Sequence, residues 1–445
     1  MPGISIDSQR DFCVSEQAVV WRKIRWRMQL PLMIIVVLGS IDRVNISFAA
    51  LQMNAALGLT ASAFGAAISA FFAGYLLFQF PSTAIQRRIG TRLWITGTIL
   101  LWGVCATSMA LVQHASTLYA LRFLLGVAES GLAPGIVYFC ISWMPRRFHA
   151  GAIAITLLAV PASVIIGGPI SGWLLSSPNP LGIAGWRWMF LMEGVPSLLI
   201  AVMAYAVLSN RPEDANWLTA PEKNWLRTEM LRESAFDPVS ELHVAPRAVF
   251  KTAALWSAAG IWFACLLGSN GIIFWLPQIL KQVSGAGDWT VGVISAVPWL
   301  GISVGMMVNA WHSDATGERY RHVSTAIVVG GLGLVGALLS GATLLALGFL
   351  FVGGVGLGGA TSVFWVLPRK FWRGASLATA ITFINLIGNL SSLAGPWMIG
   401  ALRQHFGSFQ VPIALVVTVL TLSGLLVHVM RRSELIAGPS RSMLL

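Results

Sequence analysis

The sequence predicts an all-α membrane protein with twelve transmembrane helices in two pseudo-symmetric six-helix bundles. Three observations predict it. Of the 445 residues, 56% are hydrophobic and 10% charged, whereas a soluble domain carries about 25% charged residues. The mean hydropathy is +0.75, and apolar runs of about 20 residues, enough to cross a ~30 Å hydrocarbon core, recur throughout. Finally, the basic residues alternate between loops as they do in a multi-pass chain.

The spans fall at about 30–52, 64–86, 93–112, 117–141, 150–175, 187–209, 252–276, 290–312, 323–341, 344–367, 375–400 and 411–430. The first run is long enough to span and has no small-residue cleavage site, so it reads as a retained helix, not a signal peptide. Of the 29 Lys and Arg, 24 lie on one side of this arrangement: before span 1, in the loops 2–3, 4–5, 6–7, 8–9 and 10–11, and after span 12. The other side holds Arg187, Lys281 and Arg403, and two more, Arg43 and Arg122, lie inside the membrane. The positive-inside rule places both termini and the central loop in the cytoplasm.

The domain organisation follows. Residues 1–29 are a cytoplasmic N-terminal segment, 30–209 the first bundle, 210–249 a cytoplasmic linker, 250–431 the second bundle and 432–445 a tail. Within the linker, Thr219-Ala-Pro-Glu222 is a capping box with Pro in the first turn. It opens a short amphipathic helix at the inner membrane surface, with Trp225, Leu226, Met230 and Leu231 as its apolar side. The halves echo each other: span 2 ends in Gln86-Arg-Arg-Ile-Gly-Thr-Arg92, and span 8 in His312-Ser-Asp-Ala-Thr-Gly-Glu-Arg-Tyr320. Two related halves with a site between them are the architecture of a transporter.

Several classes are excluded. The net charge of +12 sits in cytoplasmic loops, so no nucleic acid partner is expected. The four cysteines, Cys13, Cys105, Cys140 and Cys265, have neither metal-ligand spacing nor a disulfide framework. No P-loop, nucleotide fingerprint or nucleophile elbow appears. The chain reads as neither an enzyme nor a cofactor or metal protein. It is expected to act as a monomer in the lipid bilayer.

The chemistry lies in four ions inside otherwise apolar spans: Asp42, Arg43, Arg122 and Glu129. An ion at the bilayer centre costs about 2.5–3.5 kcal/mol on insertion scales. Asp42 and Arg43 are separated by about 100° around a helix, so one can face a central cavity while the other meets a neighbouring helix. Arg122 and Glu129 are two turns apart and share a face. Small residues from Gly126 to Gly135 allow close helix crossing there. A carboxyl held away from water favours its neutral form, as proton coupling requires. The competing reading of these ions is packing alone. The second half offers only neutral polar and aromatic groups, which suggests that the first half handles charge and the second shapes specificity. Glu193 and Arg187 near the outer end of span 6 read as a structural pair.

Six segments then carry a resemblance: Asp42-Arg-Val-Asn-Ile-Ser-Phe-Ala-Ala50, Tyr75-Leu-Leu-Phe-Gln-Phe-Pro-Ser82, Arg122-Phe-Leu-Leu-Gly-Val-Ala-Glu-Ser-Gly131, Phe274-Trp-Leu-Pro-Gln278, His312-Ser-Asp-Ala-Thr-Gly-Glu-Arg319 and Ile384-Asn-Leu-Ile-Gly-Asn-Leu390. In this order they resemble the anion:cation symporter family of the major facilitator superfamily, over roughly residues 20–430. The resemblance implies the major facilitator fold and a bacterial inner-membrane symporter. It would take up a small organic anion, such as a sugar acid, tartrate or phthalate, together with protons, by alternating access.

The resemblance also implies site roles. Asp42 and Glu129 match the proton-carrying pair, and Arg43 matches a ligand of the substrate carboxylate. Arg122 joins the expected substrate-binding residues, and either holds Glu129 or switches partners during the cycle. Tyr75 matches a family tyrosine that could donate to the anion, although an aromatic facing lipid fits the sequence too. Gln79 stands where family members commonly carry Glu, which removes a charge. Asn385 is favoured over Asn389 as a ligand, with helix–helix hydrogen bonding the alternative for both. Trp365 is either substrate-facing or a membrane-interface residue. Asn270 occupies a position where the family often has Tyr. An exporter of drugs or metabolites, and a non-transporting anion sensor, are the rival readings. Arg43 disfavours the first, and the small central loop disfavours the second.

Overall fold

The computed structural model describes residues 14–132, 135, 136, 139, 143–235, 249–341 and 343–441. The N-terminal residues 1–13, parts of the end of span 4, most of the linker beyond Ala235 and residues 442–445 lie outside the described residues. Cys13 and Cys140 are among them.

The chain is helical almost throughout, and no strand occurs among the described residues. The helices are α1 (Val14–Ile24), α2 (Leu30–Ala56), α3 (Ala61–Ile89), α4 (Thr91–Ser108), α5 (Ala115–Glu129), α6 (Arg146–Ser176), α7 (Gly185–Val207) and α8 (Ala220–Ala235). The second half adds α9 (Ala253–Ser284), α10 (Asp288–Ile294), α11 (Val297–Thr316), α12 (Tyr320–Leu339), α13 (Leu344–Phe364), α14 (Gly374–Phe406) and α15 (Gln410–Arg441). Eleven helices among the described residues are long and apolar enough to cross a membrane. The remaining predicted span is α5, whose continuation falls partly outside the described residues.

Local chemistry sets several boundaries. Thr60 caps α3 by accepting from the Ala63 N–H at 3.2 Å. Pro31 occupies the first turn of α2, where its missing N–H costs nothing. The span predicted at 290–312 is broken at Ser295–Ala296, just before Pro298. The first span reaches further back than expected. A π-helical turn, Arg25–Gln29, joins α1 to α2 into one rod.

The two halves each pack internally, α3 against α5 and α4 against α7 in the first, α11 and α12 against α13 in the second. Between halves, α3 meets α14, α2 meets α9, and α6 meets α10 and α11. The hydrogen bonds that join the halves cluster at the end remote from the termini. There Gln52 Nε2 donates to Asp288 Oδ2 at 2.8 Å, the Trp289 N–H donates to Ser176 Oγ at 3.1 Å, and the Ser62 N–H donates to Gln404 Oε1 at 3.2 Å. Glycine makes this seam possible. A Cβ on Gly292 would collide with the Gly168 carbonyl oxygen, and one on Gly400 with that of Ala61.

The predicted linker helix is present as α8. The Glu222 carboxylate accepts from the Thr219 N–H at 2.9 Å, which is half of the capping box. Of its predicted apolar side, Leu226 is fully buried, whereas Leu231 is exposed. The helix docks on α1 through Lys23–Glu222 at 2.7 Å and an edge-on Trp21–Trp225 contact.

Candidate functional site

Between the halves lies a cavity of about 690 Å³. It reaches along α11 to Ala310 and to Trp365 just after α13, toward the end that carries the termini, while the glycine seam closes the opposite end. Arg43 projects into it from α2, and among the described residues no other Lys or Arg lines it. Its aromatic lining includes Phe72, Trp262, Phe274, Trp299 and Trp365.

The four intramembrane ions divide into two groups. Arg43 Nη2 and Nε both donate to Glu129 Oε2, at 2.6 and 2.9 Å. The glutamate is fully buried, while the arginine side chain is 34% exposed on the cavity side. Arg122, fully buried, does not line the cavity. Its two terminal nitrogens each stand 3.4 Å from the Arg43 carbonyl oxygen, and its guanidinium lies 4.9 Å from the Phe71 ring centroid. The close crossing that brings α5 to α3 depends on Gly126, where a Cβ would collide with the Phe71 carbonyl.

Asp42 faces the other way. It is 1% exposed, and its Oδ2 accepts from Trp102 Nε1 at 2.6 Å and Ser197 Oγ at 2.7 Å. Adjacent in sequence, Asp42 and Arg43 thus serve different sides of α2: one the interior of the first bundle, the other the cavity. The 100° step of the helix produces this division.

Among the remaining predicted residues, Tyr75 stacks on Phe71 and lies 5.7 Å below the Arg43 guanidinium, inside the bundle. Asn270 lines the cavity and donates to Ser392 Oγ at 2.6 Å. Trp365 lines it too, edge-on to Trp262 at 4.7 Å. On α14 it is Asn389 that lines the cavity, and its side-chain amide donates to the Asn385 carbonyl at 2.9 Å. Asn385 is not a lining residue.

Glu193 does not pair with Arg187. The arginine instead bonds the carbonyls of Ala110 and Val112, where the helical segment after α4 ends. Glu193 accepts from Ser171 Oγ at 2.7 Å, deep within the first bundle. Ser197, Trp102 and Ser171 were not among the candidates from sequence. The four-residue spacing of Glu193 and Ser197 on α7 was the available signal, since it puts both on one face.

Comparison with known proteins agrees with this architecture. The family model described as "Major Facilitator Superfamily" matches residues 32–396. A protein of Agrobacterium vitis named "Putative tartrate transporter" is 39% identical over 94% of the chain and 92% of its own length. A "Quinolone resistance transporter" of Acinetobacter baumannii is 33% identical over 87% of the chain and 89% of its own length. Among solved structures, a D-xylose-proton symporter shares the fold with a TM-score of 0.73 at 13% identity, covering 90% of this chain and 97% of that one. The buried ions around a central cavity between two helical halves therefore belong to a transporter and not to an enzyme: the chain is a member of the major facilitator superfamily.

Proposed function

We propose that the protein is a proton-coupled symporter that takes up an organic carboxylate, acting as a monomer in a bacterial inner membrane with both termini in the cytoplasm. The observation that carries this reading is the Arg43–Glu129 pair. The one guanidinium that lines the cavity among the described residues is held by a carboxylate that is itself buried. Arginine suits a carboxylate because its fork can bond both oxygens. A proton on Glu129 cancels the charge that holds Arg43 and frees the guanidinium for the anion. When Glu129 loses the proton it competes for Arg43 again and expels the anion. Binding and protonation are coupled because both act on the same cation.

In this scheme Asp42 and Glu129 carry protons. Arg43 binds the anion with help from Tyr75, Asn270 and Trp365, and Asn385 acts through Asn389. Arg122 fixes the α2 backbone at Arg43 and keeps positive charge beside the site. The seam of Gly168, Gly292, Gly400 and Ala61 is the closed outer gate, and the cavity faces the cytoplasm. A monoanion entering with one proton moves no net charge, and a second proton gains about 2.3 kcal/mol per 100 mV of membrane potential.

The carboxylate reading draws support from the relative named for tartrate. A second reading, proton-driven export, draws support from the relative named for quinolone resistance. Proteoliposomes with an imposed pH gradient separate the two. Symport predicts accumulation of a labelled carboxylate on the alkaline side, and export by exchange with protons predicts movement to the acidic side. Absence of proton-driven accumulation of any carboxylate tested would end the symport reading.

A further inference from the structure

Glu193 lies outside the Arg43–Glu129 cluster and has no part in the cycle above. It sits on α7, 6% exposed, with its Oε1 bonded to Ser171 Oγ and its Oε2 buried without a partner. Asn45, one turn beyond Asp42 on α2, stands between the two carboxyls. Its amide nitrogen is 3.5 Å from Asp42 Oδ1 and its side chain also reaches Glu193, yet its own Oδ1 is buried with no donor.

Among the described residues no cation answers this pair of acids. Arg187, on the same helix, is engaged with the Ala110 and Val112 carbonyls. Arg92 of α4 bonds the Tyr205 carbonyl and packs on its ring. Arg43 and Arg122 belong to the Glu129 cluster. The partners the two acids touch are neutral: Trp102 from α4, Ser171 from α6 and Ser197 from α7. Two carboxylates that share an apolar interior without a cation repel each other and both lose hydration, so protonating one relieves both penalties. The orphaned atoms match this need. A proton on Glu193 Oε2 removes the charge from an oxygen that no hydrogen-bond donor reaches.

We propose that Glu193 and Asp42, bridged by Asn45, form a buried two-carboxyl proton site inside the first bundle, with one proton residing on Glu193 Oε2 in this conformation. The two acids titrate as a unit. Its role in transport rests on the symport reading, where it carries one proton of the cycle and Glu129 another. Its existence does not rest on that reading.

The test uses the full-length protein in proteoliposomes and has two arms. In infrared difference spectra across a pH titration, the wild type shows the carbonyl stretch of a buried neutral carboxylic acid that Glu193→Gln removes. Asp42→Asn, which deletes the like-charged neighbour, moves the titration of the Glu193 band to lower pH. Identical spectra for wild type and Glu193→Gln overturn the site. In the transport arm, the double variant Asp42→Asn/Glu193→Gln lowers the number of protons moved per anion by one, and an unchanged number overturns the transport role. A wild type that moves no protons sinks the symport reading alone, because the infrared arm still decides the site. If Glu193→Gln does not fold, Ser171→Ala takes its place. It removes a donor to Oε1 and shifts the same band to higher pH, and an unshifted band counts against the site.

Discussion

Arg43 places both of its hydrogen bonds on one oxygen of Glu129, Oε2, and leaves the other oxygen, Oε1, buried without a partner. A bidentate pair would occupy both oxygens and lock the guanidinium. The observed arrangement keeps part of the Arg43 fork available on its exposed side.

Glu129→Gln is therefore expected to uncouple the protein. Arg43 is released permanently, so anion binding persists and loses its dependence on pH, while accumulation driven by a pH gradient disappears. Binding of a labelled carboxylate at two pH values, with uptake under an imposed gradient, measures both effects. Retained gradient-driven accumulation in this variant removes Glu129 from the coupling.

Arg43→Ala is expected to weaken carboxylate binding about 30-fold or more, the equivalent of about 2 kcal/mol. It also leaves Glu129 buried and unpaired, a loss of about 3–5 kcal/mol in folding stability. The double variant Arg43→Ala/Glu129→Gln should recover most of that stability and none of the binding. Thermal melting in detergent, alongside equilibrium binding, distinguishes the two consequences.

The glycine seam makes a conformational prediction. Gly292→Val cannot meet the Gly168 carbonyl at the present distance, so the closed end should open. A cysteine introduced by Val44→Cys, at a cavity-lining position, should then react with a membrane-impermeant thiol reagent added outside. Uptake should fall at the same time. Unchanged labelling would show that the seam does not gate the cavity.

At the linker helix α8, burial works against the Glu222 charge, but the Lys23 ammonium and the Thr219 N–H hold its carboxyl below the ordinary glutamate value. A depressed value stabilises the docked helix at neutral pH, and the benefit is lost as pH falls through it. For a pair this close to the surface the contribution is about 0.5–1 kcal/mol. Amide exchange in α8, corrected for intrinsic rate, should show less protection at acidic pH, and Glu222→Gln should lack that dependence.

The spans and the four ions were legible in sequence because each is a local signal: an apolar run of fixed length, or a charge where none is tolerated. The division of labour between Asp42 and Arg43 was legible from helix geometry. What was not legible depends on which surfaces meet. Arg187 and Glu193 are near in sequence and opposite in polarity, yet the arginine goes to free carbonyls after α4 and the acid to Ser171, because six residues place them on different faces. Asn385 and Asn389 share a face, and only the packing of α14 shows that Asn389 reaches the cavity. The seam glycines were unreadable for the same reason. Each is defined by a carbonyl in the other half of the chain.

That seam has an electrical consequence. Its closest approaches are backbone to backbone, and Asp288, an acid at the seam, is paired with Lys281 at 2.6 Å. Parting the glycine contacts themselves therefore moves no ionised side chain. Voltage sensitivity of turnover then falls to the ions of the first bundle and to what they bind.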